Sequence, residues 1–127
     1  GTSEIYSAIE GLEFLDDSIA VNLTNQDSYI LFVKLNSKIS INDKIISGIR
    51  KSIKGNLSPK HLPAYIFNVS DIPYTINGKK VEIAIKNIAD GEPVENIDSI
   101  SNQECLNEYS DIIDKRVRFK LWAIYLQ

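Results

Sequence analysis

The chain reads as an α+β domain with a small, mostly antiparallel sheet flanked by helices. Three observations predict that class. Segments 18–23, 28–35 and 64–70 are rich in the β-branched and aromatic residues of strands. Segments that open near Thr2 and Asn42 repeat apolar residues at helical spacing. The elements follow one another as α, β, β, α, β, loop, α and tail, an order that suits helices packed on a short sheet.

Taken in order, Thr2 or Ser3 can cap the first helix, with Glu4 in the first turn where the helix dipole favours an anion. Ile5, Ala8, Ile9 and Leu12 recur at helical spacing, which predicts a helix to about Phe14; Asp16, Asp17 and Ser18 then mark a turn. SIAVNL and SYILFVKL follow as strands joined by a TNQD turn, and the nearly continuous apolar run of the second places it centrally in the sheet. Asn42 caps a second helix with one apolar stripe of Ile45, Ile46, Ile49 and Ile53, while Lys44, Arg50, Lys51 and Lys54 face elsewhere and Gly55 ends it. LSPKHLPAY holds two prolines and cannot stay regular for long, and AYIFNVS reads as a third strand.

Two readings compete for KVEIAIKNIADG. Asn77-Gly78 is a strong hairpin signal, and Val81, Ile83 and Ile85 alternate after it. Yet Val81, Ala84, Ile85 and Ile88 also share one helical face, and Asp90-Gly91 with Pro93 beyond forms a helix stop. The length before that stop favours the helix. Residues 92–110 are polar and broken, predicting coil with a short helix near 102–109. RVRFKLWAIYLQ alternates Val117, Phe119, Leu121 and Ala123 against Arg116, Arg118 and Lys120, which is a strand pattern.

Composition narrows the function classes. The 127 residues suit one domain, and 43% hydrophobic with 24% charged residues permits a packed core and argues against disorder. A net charge of −3 argues against a general nucleic-acid surface, which needs clustered excess Lys and Arg. With Cys105 and His61 as the only residues of their kinds, neither an intramolecular disulfide nor a Cys/His metal cluster can be assembled. A reducing, cytoplasmic location fits. No apolar run is long enough to cross a bilayer, and GTSEIYSAIE lacks the basic and apolar regions of a signal peptide, so the chain reads as the middle of a longer protein.

DIPYTINGKK concentrates the chemistry. Asn77-Gly78 tolerates positive φ with little side-chain bulk, Pro73 stiffens the approach, and Lys79 follows at the tip. A lysine so placed can reach into a cleft elsewhere and offset the charge of carboxylate and phosphate oxygens. On residue chemistry alone, a solvated surface turn is the commoner explanation. Arg50 and Lys51 likewise fit a solvated helix face. His61 lacks a partner nearby in sequence and reads as loop structure, Glu4 as a helix-start charge, and Cys105 as inert.

The string Pro73-x-Thr75-x-x-Gly78-Lys79 resembles the last core motif of the adenylate-forming superfamily of acyl-CoA synthetases, peptide-synthetase adenylation domains and luciferases. GTSEIYSAIE is similar to an earlier motif of that superfamily. IPYTINGKKVEIAIKNI, GEPVEN and SNQECLNEY look most like its acetoacetyl-CoA synthetase branch. Tyr74 and Asn77 stand where relatives often carry a basic residue or Ser, as they do in that branch. The resemblance spans residues 1–112 and implies a mobile C-terminal lid domain, with an N-terminal adenylation domain and hinge outside this chain; residues 113–127 form an atypical tail.

The same resemblance implies that Lys79 assists adenylation of a small acid, acetoacetate in that branch, on a catalytic loop of Thr75, Asn77 and Gly78. Gly1, Thr2, Ser3 and Arg50 would contribute to CoA binding on the opposite face. ATP, CoA and Mg would serve the full-length enzyme, with none bound by this domain alone, no nucleic-acid or membrane partner, and no activity for the isolated domain. The rival readings are a free-standing domain that binds CoA or an adenylating partner, and the tail of a peptide-synthetase adenylation domain.

Overall fold

A computed structural model of the protein describes residues 1–118. They fall into two compact units, Gly1–Ile72 and the residues from Pro73 onward.

The first unit is built on a three-stranded sheet in the order β1 (Leu15–Asn22), β2 (Tyr29–Leu35), β3 (Tyr65–Asn68). β1 and β2 form an antiparallel hairpin, Leu15 opposite Leu35 through Asn22 opposite Tyr29, with a bulge between Leu15 and Asp17. Asn25, at φ 62, turns the connecting loop, where the Leu23 N–H donates to Ser28 O at 2.9 Å. β3 runs parallel to β2, Ile30 opposite Tyr65 through Val33 opposite Asn68. The antiparallel ladder is the longer of the two, and the sheet is mixed. Parallel neighbours need a long crossover, and α2 (Asp43–Asn56) lies within it.

β2 is central, as its apolar run predicts, and six of its seven residues are buried. Its side chains alternate between faces. Tyr29, Leu31, Val33 and Leu35 join Ala20 in one core with Ile5, Ala8 and Ile9 of α1 (Thr2–Ile9) and Ile49 and Ile53 of α2. Ile30 and Phe32, of opposite parity, are also withdrawn from water, as is Ile19 of β1. Phe32 and Phe67 meet at 5.9 Å between ring centroids, and Tyr65 stacks on Phe67 at 5.5 Å.

α1 is shorter than the apolar spacing predicts. It stops at Ile9, and successive turns, Leu12 N–H to Ile9 O and Leu15 N–H to Leu12 O, lead into β1. Leu12 and Phe14 still pack on the core, from a turn instead of a helix; β1 pairing from Leu15 leaves no length for further helical turns. Gly1 occupies the N-cap position without a side-chain bond, so neither Thr2 nor Ser3 caps the helix. Asn42 does cap α2, its Oδ1 accepting from the Ile45 N–H at 2.9 Å.

In the second unit, α3 (Glu82–Ala89) settles the competition at 81–90 in favour of helix, with Ala84 and Ile85 buried. The Asn-Gly turn also closes, but its ladder is limited to the pair Tyr74–Lys80. Gly91 at φ 73 ends α3, its N–H donating to Ile88 O while Glu92 N–H donates to Asn87 O. Single 3-10 turns at Ile97–Ser99 and Gln103–Cys105 precede α4 (Leu106–Ile112), which lies against α3.

The tail departs from expectation. Residues 113–118 continue α4 as a π-helical segment, not a strand. Tyr109, Ile113 and Val117 are all buried at four-residue spacing, so Val117 belongs to a helical stripe that short-range alternation concealed. Arg118 donates to Asp114 Oδ1 at 2.7 Å and to the carbonyls of Ile88 and Ala89, holding the C-terminal end of α3. Phe119, Lys120, Leu121, Trp122 and Ala123 lie outside the described residues.

Candidate functional site

The turn at 75–79 is tightly specified. Gly78 adopts φ 83, where an L side chain is strained. Its N–H donates to Thr75 O at 2.9 Å, and the Thr75 N–H donates to Lys79 O at 2.8 Å. Thr75 acts twice, because its Oγ1 also accepts from the Lys79 N–H at 3.1 Å. Pro73 is buried at the foot of the turn, its carbonyl accepting from Val81 N–H at 3.0 Å. The sequence-predicted loop residues Thr75, Asn77, Gly78 and Lys79 are thus gathered in one turn.

Lys79 is exposed. Its backbone is held at both ends, while its ammonium has no hydrogen-bond or ion-pair partner among the described residues. Ile76, on the same turn, is 75% exposed, an apolar side chain beside a free cation.

The remaining candidates lie in the first unit and are not collected into one place. Gly1 and Thr2 line a pocket of about 470 Å³ with Asn22, Asp27, Tyr29, Lys60 and His61 among its other walls. Ser3 lines a different pocket, of about 370 Å³, with Glu4, Ser7, Ala8, Asn56 and Leu57. Arg50 is exposed on α2 and lines neither.

His61 acquires partners that its sequence neighbourhood does not announce. Its Nδ1 is 2.7 Å from Ser58 Oγ, and its Nε2 is 3.7 Å from Glu4 Oε2, brought across from α1. The Tyr29 hydroxyl donates to His61 O at 2.6 Å. These contacts fasten the proline-bearing loop to α1 and β2. Burial pushes the Tyr29 phenol up to about 12. Lys60 and His61 both line the larger pocket, and the Ser58 contact shows that His61 does have a partner nearby in sequence.

Among the described residues, no three His, Cys, Asp or Glu side chains gather into a metal-binding group, and no helix is long and apolar enough to cross a membrane. Cys105 is partly exposed and forms no disulfide among the described residues.

No family model matches the chain. It is 42% identical over 115 residues to acetoacetyl-CoA synthetase of Gallus gallus, covering 88% of this chain and 17% of that protein. It is 32% identical over 114 residues to acetoacetyl-coenzyme A synthetase of Rhizobium meliloti (strain 1021), covering 88% of this chain and 18% of that protein. Among solved structures, acetoacetyl-CoA synthetase from Streptomyces lividans superposes with a TM-score of 0.82 at 32% identity, over 91% of this chain and 18% of that one. A Brucella canis acyl-CoA synthetase shares the fold at a TM-score of 0.57 and 20% identity, over 63% of this chain and 15% of that one. The chain therefore spans about one sixth of the length of the relatives it matches. Identity on this scale, joined to an α+β fold that matches the C-terminal domain of acyl-CoA synthetases, relates the chain to the acetoacetyl-CoA synthetases.

Proposed function

We propose that the chain works as the mobile C-terminal lid, residues 1–112, of an ATP-dependent acid–CoA ligase that converts acetoacetate to acetoacetyl-CoA through an acyl-adenylate. Residues 113–127 are an appendage to that lid. The observation that carries the proposal is the ammonium of Lys79, exposed and unpartnered among the described residues, on a turn whose backbone is closed by three hydrogen bonds. Attack of a carboxylate on the α-phosphate of ATP brings two anions together. Lys79 would bridge their oxygens and offset the charge that develops between them, and a closed, drier site raises the value of that contact.

Thr75, Asn77 and Gly78 shape the turn that carries the cation. Gly1, Thr2 and Ser3, near the start of α1, would serve the CoA half-reaction, with Lys60 and His61 adding polar groups to the pocket that Gly1 and Thr2 line. Arg50 would meet a CoA phosphate, and its support is its exposed place on α2. Mg would act with ATP in the full-length enzyme; among the described residues no three His, Cys, Asp or Glu side chains gather to hold it. The partner of the lid is the adenylation domain, and its cofactors are ATP and CoA; the compartment we propose is the cytoplasm.

The test uses the full-length ligase. Acid-dependent release of pyrophosphate across a panel of short acids should be greatest with acetoacetate. Absence of release with every acid would favour a free-standing domain that binds CoA or a partner. Lys79→Ala should slow adenylation by about 10²–10³-fold, with far less effect on thioester formation from supplied acyl-adenylate. Equal losses in the two half-reactions would refute the role given to Lys79.

A further inference from the structure

Asn102 opens the 3-10 turn Gln103–Cys105 that leads into α4, yet its side chain makes no cap bond there. Asn at a helix start ordinarily accepts from an N–H two or three residues on. Here Oδ1 is turned elsewhere and accepts from the Tyr74 N–H at 3.1 Å, across 28 residues of sequence. Tyr74 enters the Lys79 turn and pairs with Lys80 on the way out.

The contact belongs to a short ladder. The Ser101 N–H donates to Tyr74 O at 2.9 Å and the Ser101 hydroxyl to the same oxygen at 3.1 Å. The Ile76 N–H donates to Ser99 O at 3.2 Å, and Thr75 bridges Ile100, which is 2% exposed. Ser99 is itself held, its N–H and hydroxyl both donating to Asn96 O, and Asn96 takes φ 54 to offer that carbonyl. The incoming arm of the turn is therefore paired on both sides, to residues 79–80 by the turn and to residues 99–102 by the ladder.

We infer that Asn102 is a positioning residue for Lys79, and that segment 96–102 is a brace that fixes where the lysine is presented. The inference rests on the role proposed for Lys79 above. A lysine delivered to reacting atoms must arrive in register, because a displacement of about 1 Å can lower a rate by about 10²-fold. A three-residue loop, 76–78, on an unsupported hairpin would not give that precision, since isolated hairpins are only marginally stable. The ladder adds a third segment beside the two arms of the turn. Asn102 gives the ladder a long-range side-chain acceptor, and its side chain can be altered without touching the backbone of the turn.

The experiment compares Asn102→Leu, Asn102→Asp and Lys79→Ala in the full-length ligase. Leu is close in size and lacks the acceptor, while Asp retains an oxygen for the Tyr74 N–H. Asn102→Leu should reduce kcat for adenylation by about tenfold or more, with the KM for the acid and thioester formation from supplied acyl-adenylate near wild type. Asn102→Asp should recover most of the loss. No change in Asn102→Leu, or equal loss in both half-reactions including loss through misfolding, overturns the brace. If Lys79→Ala is itself harmless, the role given to Lys79 falls first; if Lys79→Ala stops adenylation and Asn102→Leu does not, only the brace falls.

Discussion

Replacing Gly78 by alanine puts a number on the strain that the Lys79 turn holds. A Cβ added there would meet no atom within 4 Å, so the substitution has no steric wall to push against and its cost is conformational. Holding an L-residue in left-handed geometry costs about 1–2 kcal/mol. The chain can escape by turning φ negative, but that breaks the Gly78 to Thr75 bond and disturbs the two bonds between Thr75 and Lys79. At about 0.5–1.5 kcal/mol each, the three bonds together outweigh the strain. The turn should therefore persist in Gly78→Ala, destabilised by about 1–2 kcal/mol. Amide hydrogen exchange at Lys79 reads this locally, and it should run about 5–30 times faster than in the wild type. Gly78→Asn should fall between the two, because Asn enters positive φ more readily. Wild-type exchange in the alanine variant, or a slower rate in alanine than in asparagine, would refute the reasoning.

Two further outcomes test the first unit. Tyr29 has its phenol raised from 10.0 to about 12 by burial, so the native state holds that proton more tightly than the unfolded chain. The resulting stabilisation is complete below pH 10 and is lost as pH rises toward 12, about 2–3 kcal/mol in all. Urea unfolding from pH 9 to 12 should show that excess loss in the wild type and not in Tyr29→Phe; parallel curves for the two would refute it. Ile53, fully buried between α2 and the sheet, should cost about 2–5 kcal/mol as Ile53→Ala, whereas Lys51→Ala two positions earlier on the exposed face should stay within about 0.5 kcal/mol. Similar midpoints for the two variants in equilibrium denaturation would contradict the assigned stripe.

Legibility followed the range of the interactions involved. α2 was readable because its cap, Asn42, and its stripe, Ile49 and Ile53, belong to one continuous segment. β2 was readable because an unbroken apolar run has few places to go except the middle of a sheet. The end of α1 was not, because Leu12 serves equally well on a helix or on the turn that packs in its place. The direction of β3 was not, because nothing in YIFN records which way the chain returns. Val117 misled because strand alternation and helical spacing coincide over so short a stretch, and only its burial beside Ile113 separates them. At the candidate site, the Lys79 turn was visible in Asn-Gly-Lys. The brace was invisible, since Asn102 and Tyr74 are 28 residues apart and no local pattern joins them.

What the sequence determined by itself was therefore the set of local commitments: the course of α2, β1 and β2, that Gly78 must turn, and that a lysine stands at the turn's end. Those depend on sterics and on contacts within one helical turn or one bend. Tertiary structure alone decided the parallel course of β3, the transfer of Glu4 to His61, the capture of the α3 terminus by Arg118, and the diversion of Asn102 from its own helix to Tyr74. Each of these joins groups far apart along the chain, and such a pairing exists only once packing has brought the two segments within hydrogen-bonding reach.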